Sequence, residues 1–250
     1  MEKYFYLVGV LLVTPLWLIM FLRSSHRKDM ALFGAIFGLA AIFLEALYSK
    51  LDYWNPSFAF PVPYVEDFLY GFIFGGISTE IAEFLMGKIN SKKPTHPIRL
   101  WFFLIFATMT WFFFVWLVHI MGLNSIWAHI LPPLMVGVII SIIRRHLFRT
   151  SFLSGLIVMA IAFLMLFVLK LIFTTPVFHA HWQLDNLLGV FVLEIPIEEL
   201  LFTFALGFGA ANVYEFIFGY SLVKDKPKKK SAQKRVSRSR LKWLLNTTIN

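Results

Sequence analysis

The chain alternates between long apolar runs and short charged breaks. Each apolar run is about 20 residues long, which is the length that an α-helix needs to cross the hydrocarbon core of a bilayer. The opening run is followed by the sequence RSSHRK and not by a small-residue cleavage site, so we interpret it as a first span and not as a removable signal peptide. Seven spans are predicted, over residues 4–22, 30–49, 64–87, 99–121, 125–143, 152–174 and 195–220. The pattern therefore predicts an all-α polytopic membrane bundle of about seven transmembrane helices.

The composition agrees with this interpretation. Hydrophobic residues make up 59% of the chain and the mean hydropathy is +0.74, so no separate soluble domain is expected. The chain contains no cysteine, which excludes a disulfide, a thiolate nucleophile and a cysteine-ligated metal ion. We predict no metal site and no cofactor.

The positive charge is concentrated at the end of the chain. Ten of the 23 Lys and Arg residues follow residue 223, and this tail accounts for the net charge of +9. A basic segment beside the last span predicts contact with anionic lipid and not with nucleic acid. Most of the other cations follow the first, third and fifth spans: Arg23, Arg27 and Lys28; Lys88, Lys92, Lys93 and Arg99; Arg144, Arg145 and Arg149. The intervening ends hold few cations, mainly Lys3 and Lys50. The positive-inside rule then predicts a multi-pass protein of the cell membrane with its N-terminus outside and its C-terminus in the cytoplasm.

One segment of the chain occurs twice. Residues 66–87 align without a gap on residues 198–219, and seven of the 22 positions are identical. Because spans three and seven have the same predicted orientation, the repeat is parallel, with a pseudo-two-fold axis along the membrane normal and a shared site between the halves. The predicted units are a first three-helix repeat (1–98), a linking transmembrane helix (99–122), a second three-helix repeat (123–222) and a basic cytoplasmic tail expected to be disordered (223–250).

Each copy of the repeat carries two consecutive acids at the start of an apolar span. These are Glu66 and Asp67 in the first copy and Glu198 and Glu199 in the second, where Pro196 suits the first turn of a helix. Acids in a first turn can simply cap the helix, but capping does not explain two consecutive acids in both copies. A charged side chain at membrane depth costs several kcal/mol, so these acids are expected to be paired, neutralised or used.

The duplicated acids are expected to face each other near the outer end of the bundle. Carboxyl groups brought together in a low-dielectric site cannot all ionise, so at least one should hold a proton near neutral pH and act as a general acid. Aromatic walls can stabilise a cation, which suits carbocation chemistry on a long apolar substrate. We predict catalytic roles for Glu66, Asp67, Glu198 and Glu199. The predicted substrate-binding residues are Trp54, Trp182, Phe68, Phe202, Glu45 and His129. The two tryptophans could equally be interfacial anchors.

A group of residues before and within the last span resembles a known family. Trp182, Asp185, Gly189 and the run PIEELLF from Pro196 to Phe202 are similar to the second half of the membrane-integral lycopene cyclases, whose two halves each carry a PxEE-type motif. The resemblance implies that the chain is a fused pair of such halves and that Pro196, Asp185 and Gly189 have structural roles. It also implies a lycopene β-cyclase, which converts the linear ends of a carotenoid taken from the bilayer into rings without net redox and without flavin. The expected state is a monomer or a small homo-oligomer.

Other functions remain open. The strongest alternative is a small SWEET-like transporter or a carotenoid- or lipid-binding membrane protein, because a parallel repeat of three, one and three spans also occurs in that transporter family. A path for a polar substrate should carry more Asn, Ser and Thr than these spans do. A sibling reaction on carotenoid ends, such as hydration, is a further possibility.

Overall fold

The computed structural model describes residues 2–24, 27–62, 64–90 and 100–224, and its bundle is made of apolar helices. The helices are α1 (Phe5–Arg23), α2 (Arg27–Leu44), α3 (Val65–Met86), α4 (Leu100–His119), α5 (Ser125–Ile143), α6 (Phe148–Ile172), α7 (Ile197–Ala210) and α8 (Val213–Phe218). A π-helical segment (Glu45–Ser49) and a single turn (Lys50–Asp52) prolong α2. Short helical pieces also cover Glu2–Tyr4, Arg145–Leu147, Thr175–His179 and Leu184–Asn186. The prediction of an all-α membrane bundle is confirmed.

Six segments within the described ranges are long and apolar enough to cross a bilayer. They are Glu2–Arg23, Arg27–Asp52, Val65–Met86, Ser125–Ile143, Arg145–Ile172 and Ile197–Phe218. Helix α4 covers the remaining predicted span, and its apolar part over Ala107–His119 is shorter. The predicted spans and the helices therefore coincide, although residues 91–99 and the basic tail after residue 224 lie outside the described residues.

The two copies of the repeat pack their second and third helices in the same way. A Cβ added at Gly34 of α2 would lie 2.7 Å from the carbonyl oxygen of Phe72 in α3. A Cβ added at Gly155 of α6 would lie 3.0 Å from the carbonyl oxygen of Phe204 in α7. Phe72 and Phe204 are matching positions of the repeat. Small residues let two membrane helices approach to backbone contact, and here the same approach occurs in both halves.

Helices α3 and α7 run side by side in the same direction. Their first turns, which carry the acid pairs, lie at one end of the bundle. At the other end, the strand after α3 (β1, Lys88–Asn90) pairs antiparallel with the strand after α8 (β4, Leu222–Lys224). The two acid-bearing turns are therefore placed at the same end.

A short hairpin leads the chain into α7. Its strands are β2 (Phe191–Val192) and β3 (Ile195–Pro196), and Leu193 and Glu194 form the turn with φ of 51° and 71°. The Glu194 carboxylate lies 2.9 Å from Lys170 Nζ, and the Glu194 carbonyl oxygen lies 3.1 Å from His179 Nε2. These contacts tie the hairpin to α6 and to the segment that follows it.

Candidate active site

An elongated cavity of about 420 Å³ lies between the two repeats, and α4 closes one of its sides. Along α2 it extends from Glu45 to Phe33, and along α7 and α8 from Glu199 to Val213. At 1.5 Å per residue these stretches correspond to a length of about 20 Å. Its walls are mainly apolar and aromatic, which suits a long apolar molecule better than a polar one.

Three carboxyl groups line the acidic end of this cavity. Asp67 comes from α3, Glu199 from α7 and Glu45 from the π-helical segment after α2. Their exposed fractions are only 2%, 8% and 4%. The two repeats therefore contribute carboxyl groups to one shared site, as the parallel repeat predicts.

The Glu199 carboxyl is held by two donors from the end loops. The Tyr53 hydroxyl and the Trp182 indole N–H both donate to Oε1 of Glu199, the latter at 3.0 Å. Burial raises the pKa of Tyr53 well above its ordinary value, and the neighbouring Glu199 acts in the same direction, so this hydroxyl keeps its proton at neutral pH. Trp182 packs edge-on against Trp54 with ring centres 4.9 Å apart, and a backbone β-bridge joins the two tryptophans. The loops therefore fix the orientation of the Glu199 carboxyl.

Asp67 and Glu45 have different surroundings from Glu199. The Tyr6 hydroxyl of α1 lies beside Asp67, and Ser49 lies beside Glu45. One oxygen of each carboxyl, Oδ2 of Asp67 and Oε1 of Glu45, is buried without a hydrogen-bond partner among the described residues. Lys50 acts electrostatically on both carboxyl groups. Two carboxyl groups that each have a buried oxygen without a hydrogen-bond partner, and that lie near the Lys50 ammonium, form a site that can hold and release protons.

The first acid of each pair points away from the cavity. Glu66 accepts a hydrogen bond from the backbone N–H of Ala59 at 3.0 Å, and Glu198 accepts one from the N–H of Leu188 at 2.6 Å. Both glutamates are fully buried. The structure thus divides each pair in the same way: the first acid secures the loop before its helix, and the second acid faces the cavity.

The other predicted substrate-binding residues divide between the cavity and its supports. Trp54, Phe202 and His129 line the cavity, whereas Trp182 acts through its hydrogen bond to Glu199. Both tryptophans are buried and pack against each other. Phe68 lies outside the cavity and packs against Gly38 of α2.

The three residues with predicted structural roles precede or begin α7. Pro196 is the N-cap of α7, one residue before the first turn that was predicted for it. Gly189 has a φ of 70°, a conformation that favours glycine, directly after the loop segment that Glu198 holds. Asp185 lies in the short 3₁₀ turn over Leu184–Asn186 and is exposed.

Three tyrosines at the acidic end were not predicted from the sequence. Tyr6, Tyr53 and Tyr70 all line the cavity. Tyr70 follows Asp67 by three residues on α3, a spacing that puts two side chains on the same helix face and could have revealed it. Tyr6 and Tyr53 come from α1 and an end loop, and no periodic pattern connects them with the acids. No group of three or more His, Asp or Glu side chains in the described ranges is arranged to hold a metal ion.

The fold and the cavity define a class of protein: a polytopic α-helical membrane protein in which two parallel repeats enclose an apolar site with carboxyl groups at one end. Comparison with known families shows what the second half of the chain resembles. The lycopene cyclase family model matches residues 124–217, from the N-cap of α5 into α8. This match confirms the resemblance seen in the sequence and supports assignment to the lycopene cyclase family. No curated protein and no solved structure matches the chain.

Proposed function

We propose that the chain is a lycopene β-cyclase of carotenoid biosynthesis that works inside the membrane. The observation that carries this proposal is one apolar cavity that is lined by the carboxyl groups of Asp67, Glu199 and Glu45. The family match over the second repeat supports the same function. The apolar and aromatic walls favour a carotenoid over the polar substrate that the transporter alternative requires.

The proposed reaction adds one proton, removes another and shifts three electron pairs within the substrate, without any net redox. A carboxylic acid donates its proton to C2 of the terminal double bond of lycopene, which leaves a cation at C1. The electrons of the C5–C6 double bond then form the C1–C6 bond and leave the cation at C5. Loss of the proton from C6 restores a C5–C6 double bond and gives a β-type ring. Because the electrons balance within the substrate, the reaction needs neither a flavin nor another electron carrier.

Glu199 is the proposed proton donor. The Tyr53 and Trp182 donors both bind Oε1, which leaves Oε2 as the oxygen that can carry a proton into the cavity. The same two donors stabilise the carboxylate that remains after the transfer. Asp67 and Glu45 are the proposed partners that receive or replace protons at the same end of the cavity. Tyr6, Trp54 and Tyr70 present aromatic faces there, and these stabilise the cationic intermediate.

The proposed arrangement in the membrane places the acidic end of the cavity near the outer surface. The N-terminus is then outside and the basic C-terminal tail lies at the cytoplasmic surface, where it contacts anionic lipid and no nucleic acid. The lycopene enters from the bilayer, and the protein acts as a monomer or a small homo-oligomer. A cysteine introduced at Asn55 should react with an impermeant reagent from outside, and one at His146 only from inside. Labelling of both positions from one side would contradict this orientation.

The function is tested by expressing the chain in cells that accumulate lycopene and analysing their pigments. The wild-type chain should yield ring-ended carotenoids, and membranes assayed in deuterated buffer should place one deuterium at C2 of each new ring. The control is the Asp67→Asn, Glu199→Gln double variant, which should reach a similar level in the membrane and leave lycopene unchanged. If the wild-type chain leaves lycopene unchanged, the cyclase proposal is wrong. A hydroxylated end group would indicate hydration instead.

A further inference from the structure

His129 has a fixed tautomer in the structure. It lies in α5, and its Nδ1 is 2.5 Å from the backbone carbonyl oxygen of Ser125, one turn earlier. A carbonyl oxygen can only accept a hydrogen bond, so Nδ1 carries the hydrogen of the neutral imidazole. The lone pair is therefore on Nε2, at the edge of the ring that points away from the carbonyl of Ser125.

The position of the ring is also fixed. His129 lines the cavity and makes edge-to-face contacts with Phe114 of α4 at 5.1 Å and with Phe202 of α7 at 5.9 Å. Phe202 follows Glu199 by three residues on the same helix, so its Cα lies about 4.5 Å further along the axis. The imidazole is therefore beside the cavity about one helical turn deeper than the carboxyl group proposed as the proton donor.

We infer that His129 is the base that removes the ring proton, with Nε2 as the accepting atom; this inference rests on the proposed cyclase function. After ring closure the cation is at C5. Nε2 takes a proton from a carbon next to C5, and the electrons of that C–H bond form the new double bond. The imidazolium then releases this proton to solvent, and the Glu199 carboxylate takes up a solvent proton by way of Asp67 and Glu45, so that one turnover consumes no net proton.

The carboxyl groups that face the same space are less suited to this step. Asp67 and Glu45 lie at the acidic end beside Lys50, where the substrate is protonated. Glu199 has just released its proton, and its Oε1 is occupied by two donors. A neutral imidazole deeper in the cavity separates the site of deprotonation from the site of protonation. Such a separation prevents the carboxylate from taking its proton back from C2 and returning the substrate unchanged.

The position of the base determines which product forms. The C5 cation can lose a proton from C6, C4 or the methyl group on C5, which gives a β-type ring, an ε-type ring or an exocyclic double bond, respectively. A single base in a fixed orientation selects one of these positions. His129 would therefore determine the ring type as well as the rate.

The test compares the wild-type chain with three variants of His129 in membranes supplied with lycopene. His129→Phe keeps an aromatic ring between Phe114 and Phe202, and His129→Asn keeps a donor for the Ser125 carbonyl. His129→Ala leaves a space that added imidazole can occupy. The matched control is His119→Asn, which changes an exposed histidine at the end of α4 that does not line the cavity. The amount of each chain in the membrane is measured in parallel.

We expect the Phe and Asn variants to lose at least about 100-fold in cyclisation rate, within the range typical of general base catalysis. Their residual product should contain a changed ratio of ring types. Imidazole should restore part of the rate of the Ala variant, which a merely structural role would not allow. If the wild type cyclises lycopene and the Phe or Asn variant gives the same rate and ring type, the inference is wrong although the cyclase function stands. If the wild type does not cyclise lycopene, both are wrong.

Discussion

The division of each acid pair predicts opposite consequences for two neighbouring substitutions in α7. Glu199→Gln removes the transferable proton from the cavity and leaves a side chain of nearly the same size. General acid catalysis contributes about 10²–10⁴-fold, so the cyclisation rate should fall by that factor. Glu198→Gln changes the residue beside it, which is fully buried but faces the loop and not the cavity. Its cyclisation rate should stay within a few-fold of the wild type.

The structure also sets the expected cost in stability. The Leu188 N–H donates to Glu198 at 2.6 Å, and the amide oxygen of a glutamine can accept the same hydrogen bond. Glu198→Gln should therefore cost about 1 kcal/mol of unfolding free energy. Glu198→Ala leaves the Leu188 N–H without its acceptor and should cost about 1–3 kcal/mol. The position of Glu198 thus predicts a graded loss of stability with little loss of chemistry.

The assay measures pigment conversion per amount of chain in the membrane, together with thermal unfolding of the purified variants in detergent. The corresponding pair in the first repeat, Glu66→Gln and Asp67→Asn, supplies an internal comparison. Asp67→Asn should reduce turnover more than Glu66→Gln does. Equal losses of activity in Glu198→Gln and Glu199→Gln, at equal amounts of chain, would refute the division of roles within the pair.

Two further predictions concern stability. Gly155→Ala should cost about 1–3 kcal/mol, because its Cβ would lie 2.8 Å from the Phe204 ring and would force α6 and α7 apart. Gly9→Ala, whose Cβ would meet a flexible leucine methyl at 3.2 Å, serves as the control in the same thermal unfolding measurement. His181 is 1% exposed, and burial lowers its pKa, so the unfolded chain binds its proton more readily than the folded chain. This contribution to stability is complete above about pH 6.5 and is lost as the pH falls below it. His181→Phe should therefore flatten the decrease in unfolding temperature between pH 7.5 and pH 5; an unchanged pH dependence would contradict this.

The sequence was sufficient to predict the spans and the shared site, because both depend on local or repeated patterns. Bilayer thickness determines the length of an apolar run, and the helices α1 to α8 follow the predicted spans closely. Asp67 and Glu199 occupy matching positions of the repeat, and in the structure both side chains line one cavity. Glu45 was predicted as a substrate-binding residue, and the structure places it at the same end of the cavity.

The division of the acid pairs could not be predicted from the pairs alone. Consecutive residues on an α-helix point about 100° apart, so both members of a pair cannot face one cavity. Which member faces it depends on the rotation of the helix about its axis. In α7 the close contact of Gly155 with Phe204 contributes to this rotation, and in α3 the matching contact of Gly34 with Phe72 does the same. Such contacts depend on the tertiary packing and leave no local sequence signal.

The hydrogen bonds to Glu199 come from residues that are distant along the chain. Tyr53 precedes Glu199 by 146 residues and lies in the end loop of the first repeat. The loop reaches α7 because it pairs with the loop before α7. The Asn55 N–H donates to the His181 carbonyl oxygen, and the Gln183 N–H donates to the Tyr53 carbonyl oxygen, on either side of the bridge between Trp54 and Trp182. This pairing of two irregular loops is a property of the folded bundle. Sequence patterns could therefore indicate the tryptophans but not the tyrosine.

The last prediction concerns this tyrosine. Tyr53→Phe removes one of the two donors to Glu199 Oε1 and keeps the ring in place. A hydrogen bond to a charged group contributes about 1.5–3 kcal/mol, so the loss of support for the Glu199 carboxylate should slow cyclisation by about 10- to 100-fold. Tyr70→Phe is the matched control, since Tyr70 is also a tyrosine of the cavity wall but acts on Glu199 only electrostatically. It should slow cyclisation less than Tyr53→Phe does. Since the pKa of Tyr53 is raised by burial, its hydroxyl remains a donor across the neutral range, and the difference between the two variants should be the same at pH 6.5 and pH 8. Equal rates for the two variants in the pigment assay would show that the Tyr53 hydrogen bond does not support the Glu199 carboxylate during proton transfer.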